Sequence, residues 1–366
     1  MSRIKLSSIG TLKNGLNFAS DSVQSGCKMI GIPDFENRYI ANLENLKEVD
    51  LSIVGTDYLL KDNDILFVRS NGNKNLVGRS MIVQGIKEKV TFSGFCIRYR
   101  LNSSNVNPLY LLYLFKSPTF RKRFSNNQQT SISNLNQEIL GNIEFDLPSK
   151  RIQDNIVKIL HSITQKIELN NKINDNLSAM AYDTYMHTFY GKKPNGKLND
   201  ILVESDKSKV QVGEAKESDG DYPFFTSGEA ILRWKENFID GRNCFLNTGG
   251  NADVKFYVGK AAYSTDTWCI SANQNLSDYM YLLLLSIKPE LDKKFFQGTG
   301  LKHLQKPLLR DRPIYIPDTD EISSFNSQVQ NWFDIIAKNT RENQQLTALR
   351  DWLLPMLMNG QATICE

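Results

Sequence analysis

Cysteine is scarce in this chain: five in 366 residues, widely spaced, with no C-x-x-C pair. The odd count and the spacing exclude a disulfide scaffold and a cysteine-based zinc site, and point to a reducing compartment. Histidine is scarcer still, and His161, His187 and His303 form no H-E-x-x-H or other ligand pattern. No apolar run approaches the roughly 18–20 residues of a membrane span. The opening Met1-Ser2-Arg3-Ile4-Lys5-Leu6-Ser7 has no apolar signal-peptide core. The expectation is a cytoplasmic protein with no membrane association. Neither sign of charge dominates, with 44 Lys and Arg against 40 Asp and Glu, so a disordered polyelectrolyte is excluded as well.

Reactive constellations are also missing. Gly249-Gly250-Asn251-Ala252-Asp253-Val254-Lys255 is glycine-rich but lacks the spacing of a phosphate-cradling G-x-x-x-x-G-K-[ST] loop. Asn107-Pro108-Leu109-Tyr110 faintly resembles an amino-methyltransferase motif, yet no glycine-rich cofactor motif accompanies it. A nuclease pairing of Pro33-Asp34 with Glu214-Ala215-Lys216 would have to reach across the domain break. The chain is therefore expected to catalyse nothing alone, with no catalytic residues, no metal and no cofactor of its own.

What is present is organisation. A hydrophobic content of 40% suffices for packed cores, and the length suggests about two domains of roughly 150 residues. Basic side chains are in excess within residues 1–150, which suits a polyanion, and acidic ones within residues 318–366, which suits a protein partner. Laying the chain on itself so that Tyr110 falls on Tyr279 gives a gap-free match ending at Gly191 on Gly360. Along it Leu114 meets Leu283, Gln128 Gln297, Thr130 Thr299, Leu135 Leu304, Leu140 Leu309 and Pro148 Pro317. The order is an apolar helix, a polar loop, a strand closing in proline, and a long helix. This is a tandem duplication.

The long helices carry a heptad seam. Leu160, Ile163, Ile167, Asn170, Asn174, Leu177 and Ala181 recur in Val329, Trp332, Ile336, Asn339, Asn343, Leu346 and Arg350. Asn170, Asn174, Asn339 and Asn343 are candidate register residues, because a seam amide must find a polar partner across the interface. A helix of 35–40 residues reaches about 50–60 Å. Short β-branched and aromatic runs precede these helices, among them Asp64 to Arg69, Phe95 to Arg100, Asn243 to Leu246 and Trp268 to Ile270. An all-α domain is therefore the weaker reading. The fold class expected is α/β (α+β), two globular domains separated by two long helices that pair as an antiparallel coiled coil. Its boundaries are 1–148 and 192–317 for the globules, 149–191 for the first spacer helix, and 318–366 for the second with its tail.

With these motifs in order, the chain resembles the specificity (S) subunits of type I restriction–modification systems. The resemblance spans nearly the whole chain. It rests on Pro108 to Leu114, Gln128-Gln129-Thr130-Ser131, Phe145-Asp146-Leu147-Pro148 and Ile167-Glu168-Leu169-Asn170, with Gly298 to Leu304 and Leu349 to Gly360 in the second copy. One departure is Asp318-Thr319-Asp320-Glu321-Ile322, which lacks the glutamine that Gln153 supplies to the first helix start. The resemblance implies two target-recognition domains, each reading half of a gapped duplex DNA sequence. It also implies docking of methyltransferase subunits, in two copies, with restriction/translocase subunits joining through the complex. S-adenosylmethionine would belong to the methyltransferase partner.

Base reading needs forked donors and amides, and phosphate needs cations. In the first domain the candidates are Arg69, Asn71, Asn73, Lys74 and Arg79, with Gln128, Gln129 and Thr130 of the polar loop. Arg121-Lys122-Arg123 suits either phosphate or the helix dipole. In the second domain they are Asn247, Asn251 and Lys255, with Thr299, Lys302 and His303. Two readings stay open beside DNA specificity: an adaptor whose globules bind protein or glycan, and a specificity subunit of a methylation-only or type II-like system.

Overall fold

In the computed structural model, residues 2–17, 26–36, 38–73, 76–125, 135–228 and 230–361 are described. The chain forms two compact units, Met1–Lys166 with Leu346–Glu366, and Ile167–Gln345. The division cuts both long helices, so each unit holds one globule and a stretch of each helix.

In the first unit, Ile65–Val68 is an apolar run buried on both faces. It lies inside a four-stranded antiparallel sheet of order Gly10–Asn14, Cys96–Leu101, Ile65–Val68, Ser80–Ile82. Side chains alternate along a strand: Ile65, Phe67, Ile97 and Tyr99 enter a core with the helix Pro108–Lys116. Leu66, Val68, Met81 and Cys96 enter a second core. That core lies against a three-stranded sheet of order Lys47–Asp50, Gly26–Ile30, Val90–Phe92, in which the last two strands run parallel. Ser2–Lys5 pairs with Glu144–Leu147.

The second unit repeats this plan. Its four-stranded sheet has the order Leu202–Glu204, Thr267–Ala272, Arg242–Asn247, Val254–Val258. Its three-stranded sheet has the order Leu232–Trp234, Tyr222–Phe225, Ala262–Tyr263, again with a parallel pair. Cys244, Leu246, Trp268 and Ile270 enter one core, and Phe245 and Cys269 the other. Duplication thus extends to the sheets, which precede the stretch of aligned identities. An alternating apolar pattern is enough to keep strand order, and it leaves the side chains free to diverge.

The long helices are Lys150–Thr188 and Thr319–Met358. Within the first unit Ile156, Val157 and Leu160 share a core with Leu354 and Leu357. Within the second, Ala181 and Tyr185 share one with Ile322, Phe325, Val329 and Phe333. The second helix starts without a counterpart of Gln153 because Asp318 and Glu321 form a reciprocal cap: Asp318 Oδ1 accepts from the Glu321 N–H at 2.9 Å, and Glu321 Oε2 from the Asp318 N–H at 3.1 Å. Gln153, fully buried, ties the first helix to its globule by donating to the Asn105 and Pro148 carbonyls. Asn326 does this in the second unit, one turn further along, donating to the Asn275 carbonyl at 2.9 Å.

Candidate nucleic-acid interface

The first-unit site is built where the strand Ile65–Val68 ends. The Arg69 N–H donates to the Phe95 carbonyl at 2.8 Å, and the Arg69 carbonyl accepts from the Leu135 N–H at 2.7 Å. Three segments distant in sequence meet on that residue: the strand-end turn, the Ser93–Phe95 turn, and the end of the polar loop. The Arg69 guanidinium, half-exposed, donates to the Gly94 carbonyl at 3.3 Å. Asn71 Oδ1 accepts from the Asn73 N–H at 2.8 Å, the Asx turn its residue type favours. Arg79 donates to the Glu36 carbonyl at 2.8 Å. Lys74, Gln128, Gln129 and Thr130 lie outside the described residues.

The second unit has the same junction. The Thr248 N–H donates to the Asp266 carbonyl at 3.1 Å, and the Thr248 carbonyl accepts from the Leu304 N–H at 3.0 Å. The Gly250 N–H adds a bond to the Lys302 carbonyl at 2.9 Å. Arg69 thus corresponds to Thr248, Phe95 to Asp266 and Leu135 to Leu304, the last pair being the one the repeat aligns. The two second-unit loops expected from sequence therefore come together. Thr299, His303 and Asn251 are exposed on them. Two other candidates brace the junction from inside. Asn247 is buried and donates to the Asn251 carbonyl at 3.1 Å. Lys255 directs its ammonium to the Thr226 and Gly228 carbonyls at 2.7 and 2.5 Å. Lys302 pairs with Asp292 at 3.2 Å.

Beside the first junction lies a group of cations. Lys116 sits 4.3 Å from the centre of the Tyr39 ring and Arg350 4.4 Å from it. Burial, reinforced by Arg350, Arg121 and Arg79, pushes Lys116 down to about 7. Burial also lowers Arg121, with Arg79 adding to the effect. Within this group Arg350 pairs with Asp351 at 3.0 Å, and the Lys116 ammonium donates to the Arg38 carbonyl at 2.7 Å.

All four seam asparagines are engaged across the helix pair within the second unit. Asn170 Nδ2 donates to Asn343 Oδ1 at 2.9 Å and to Glu342 Oε2 at 2.7 Å. Asn339 Nδ2 donates to Asn174 Oδ1 at 2.9 Å. The pairing order, 170 with 343 and 174 with 339, runs antiparallel.

Compared with known proteins, the chain matches the family model described as "Type I restriction modification DNA specificity domain" twice, over residues 3–179 and 193–348. The chain belongs to that family. Its role is DNA-target specificity within a type I restriction–modification complex. It is 21% identical over 397 aligned positions, 96% of this chain and 91% of the other, to a Methanocaldococcus jannaschii protein provisionally named MjaX specificity subunit. It is 32% identical to the StySPI specificity subunit of Salmonella potsdam over 106 residues, 28% of this chain and 22% of that one. The S subunit crystal structure from M. genitalium has the same fold, with a TM-score of 0.60 at 12% identity, covering 100% of this chain and 96% of that one. Specificity subunits of this family are non-catalytic.

For a specificity subunit, the motifs weighed for catalysis have other work here. Asn107 caps the helix Pro108–Lys116 by accepting from the Leu109 N–H at 3.0 Å, and donates to Asp154 at 2.7 Å; Tyr110 is buried. Among the described residues no group of His, Cys, Asp and Glu is arranged to hold a metal, and no helix is long and apolar enough to cross a membrane. Trp234 packs beside Phe224 at 5.8 Å between ring centres. Sequence reasoning placed Phe95 in a strand, but the strand starts at Cys96 and Phe95 is 56% exposed in the preceding turn. The Ser93-Gly94 pair before it was the available signal. Asp266, its counterpart, carried none.

Proposed function

We propose that each loop junction reads one half of a bipartite, gapped duplex DNA target. The observation that supports this best is the repetition of one junction in both units, with different side chains on a shared scaffold. Two similar modules joined by a helical spacer read two half-sites whose spacing the spacer sets. The paired helices dock two methyltransferase subunits, which bind S-adenosylmethionine and add the methyl group. Restriction subunits join through that complex, in the cytoplasm.

The test is to sequence the methylome of a host lacking adenine methylation that expresses this chain with its neighbouring methyltransferase subunit. A gapped two-part methylated motif is expected, and it disappears when this chain is omitted. No new methylation, with both proteins folded and associated, overturns the reading of these junctions as half-site readers.

A further inference from the structure

Phe95 and Asp266 hold the same place in the two junctions. Each lends its carbonyl to the strand-end residue, Arg69 at 2.8 Å and Thr248 at 3.1 Å. The backbone under each is over-determined. At Gly94 the N–H donates to the Leu16 carbonyl at 2.6 Å, and an added Cβ would stand 2.0 Å from Asn17 Oδ1. The Phe95 N–H donates to Ser93 Oγ at 3.3 Å. The Asp266 carbonyl also accepts from the Ser227 and Thr248 hydroxyls. These are rigid tips with displayed side chains, the arrangement a recognition element needs.

The side chains themselves do not serve the fold. Phe67, Phe92, Phe115 and Phe120 are all buried to 2% exposure or less, whereas Phe95 stands 56% exposed next to Gly94, whose carbonyl accepts from the Arg69 guanidinium. Asp266 is exposed too. In the major groove a thymine presents a methyl group that takes apolar contact, and a cytosine presents an amine that donates to a carboxylate. One scaffold position has thus diverged to the two chemistries that separate these bases.

Resting on the function proposed above, we infer that Phe95 and Asp266 are base-reading side chains. Phe95 contacts a thymine methyl group in one half-site, and Asp266 accepts a hydrogen bond from a cytosine amine in the other.

The experiment compares methylomes of the assembled complex carrying the wild-type chain, Phe95→Ala, Phe95→Leu or Asp266→Ala. Phe95→Ala is expected to relax one thymine position in one half of the motif and leave the other half intact. Phe95→Leu keeps the apolar contact and the preference. Asp266→Ala relaxes one cytosine position in the opposite half. With the thymine position assigned, replacing it by deoxyuridine in a synthetic duplex should weaken the wild-type complex about 3- to 5-fold, the worth of one methyl group. The same replacement should not affect the Phe95→Ala complex. An unchanged motif in Phe95→Ala, a loss falling equally on both halves, or equal sensitivity of both complexes to deoxyuridine overturns the assignment. Failure of the underlying function reads out separately, as a wild-type chain that directs no gapped motif at all.

Discussion

Arg242 grips Asp278 with one guanidinium nitrogen bonded to both carboxylate oxygens, at 2.8 and 2.9 Å, and the Asp278 side chain has no exposed surface. The same guanidinium reaches Asp334 and the Gln330 carbonyl on the second long helix. A recognition strand, the helix behind it and the spacer helix are thereby tied at one point of the second unit. Removing one partner of such a pair strands a buried charge. Arg242→Met should cost about 3–5 kcal/mol of stability, read by urea unfolding at pH 7. Burial already raises Asp278 to about 6, against the pull of Arg242. A carboxyl whose folded pKa exceeds its unfolded value stabilises the acid side, so the Asp278 contribution declines as pH rises from 4 to 6. In Arg242→Met that decline should continue above pH 6, and a pH-independent loss would remove Asp278 from the account.

Glu321 should act with the opposite sign. Hydrogen bonds from Lys192 and Tyr315 hold it down to about 2. Its stabilisation is present above the ordinary glutamate range and fades as pH falls toward 2. Wild type and Glu321→Gln should differ in melting temperature at pH 7 and converge near pH 2–3. A constant gap across that window would assign the effect to the helix cap alone.

The asparagine seam predicts a defect in assembly rather than in folding. Replacing Asn170 and Asn339 together by leucine removes both amide donors that cross to Asn343 and Asn174. The chain should stay folded, since apolar seam residues add stability, but lose its single register and assemble poorly with methyltransferase. Size-exclusion chromatography showing an unaltered complex would rule out a specifying role for these amides.

Arg69 separates base reading from backbone holding. Arg69→Ala should weaken binding to targets with the correct half-site by about 1–3 kcal/mol and relax that half of the motif. Equal weakening on every duplex, with a shallower salt dependence, would place Arg69 on phosphate instead.

The helix seam, the repeat and the asparagine positions are local properties. A 3.5-residue period is written in neighbouring side chains, so Leu160 through Ala181 announces its helix, its apolar face and its need for a polar partner without any knowledge of the fold. The expected loops were legible for the same reason, since strand ends rich in Gly and Asn mark turns. What these loops meet was decided elsewhere. Arg69 is joined to Phe95 and Leu135, and Thr248 to Asp266 and Leu304, by backbone bonds that carry no side-chain signature. Lys255 and Asn247 looked like DNA donors by residue type, and only the carbonyls around them show that they brace the turn. Strand pairing depends on backbone groups that every residue shares. Duplication of the sheets that precede Tyr110 and Tyr279 therefore shows in strand order where no aligned identity marks it, and the tips that face outward became visible only once the sheets were assembled.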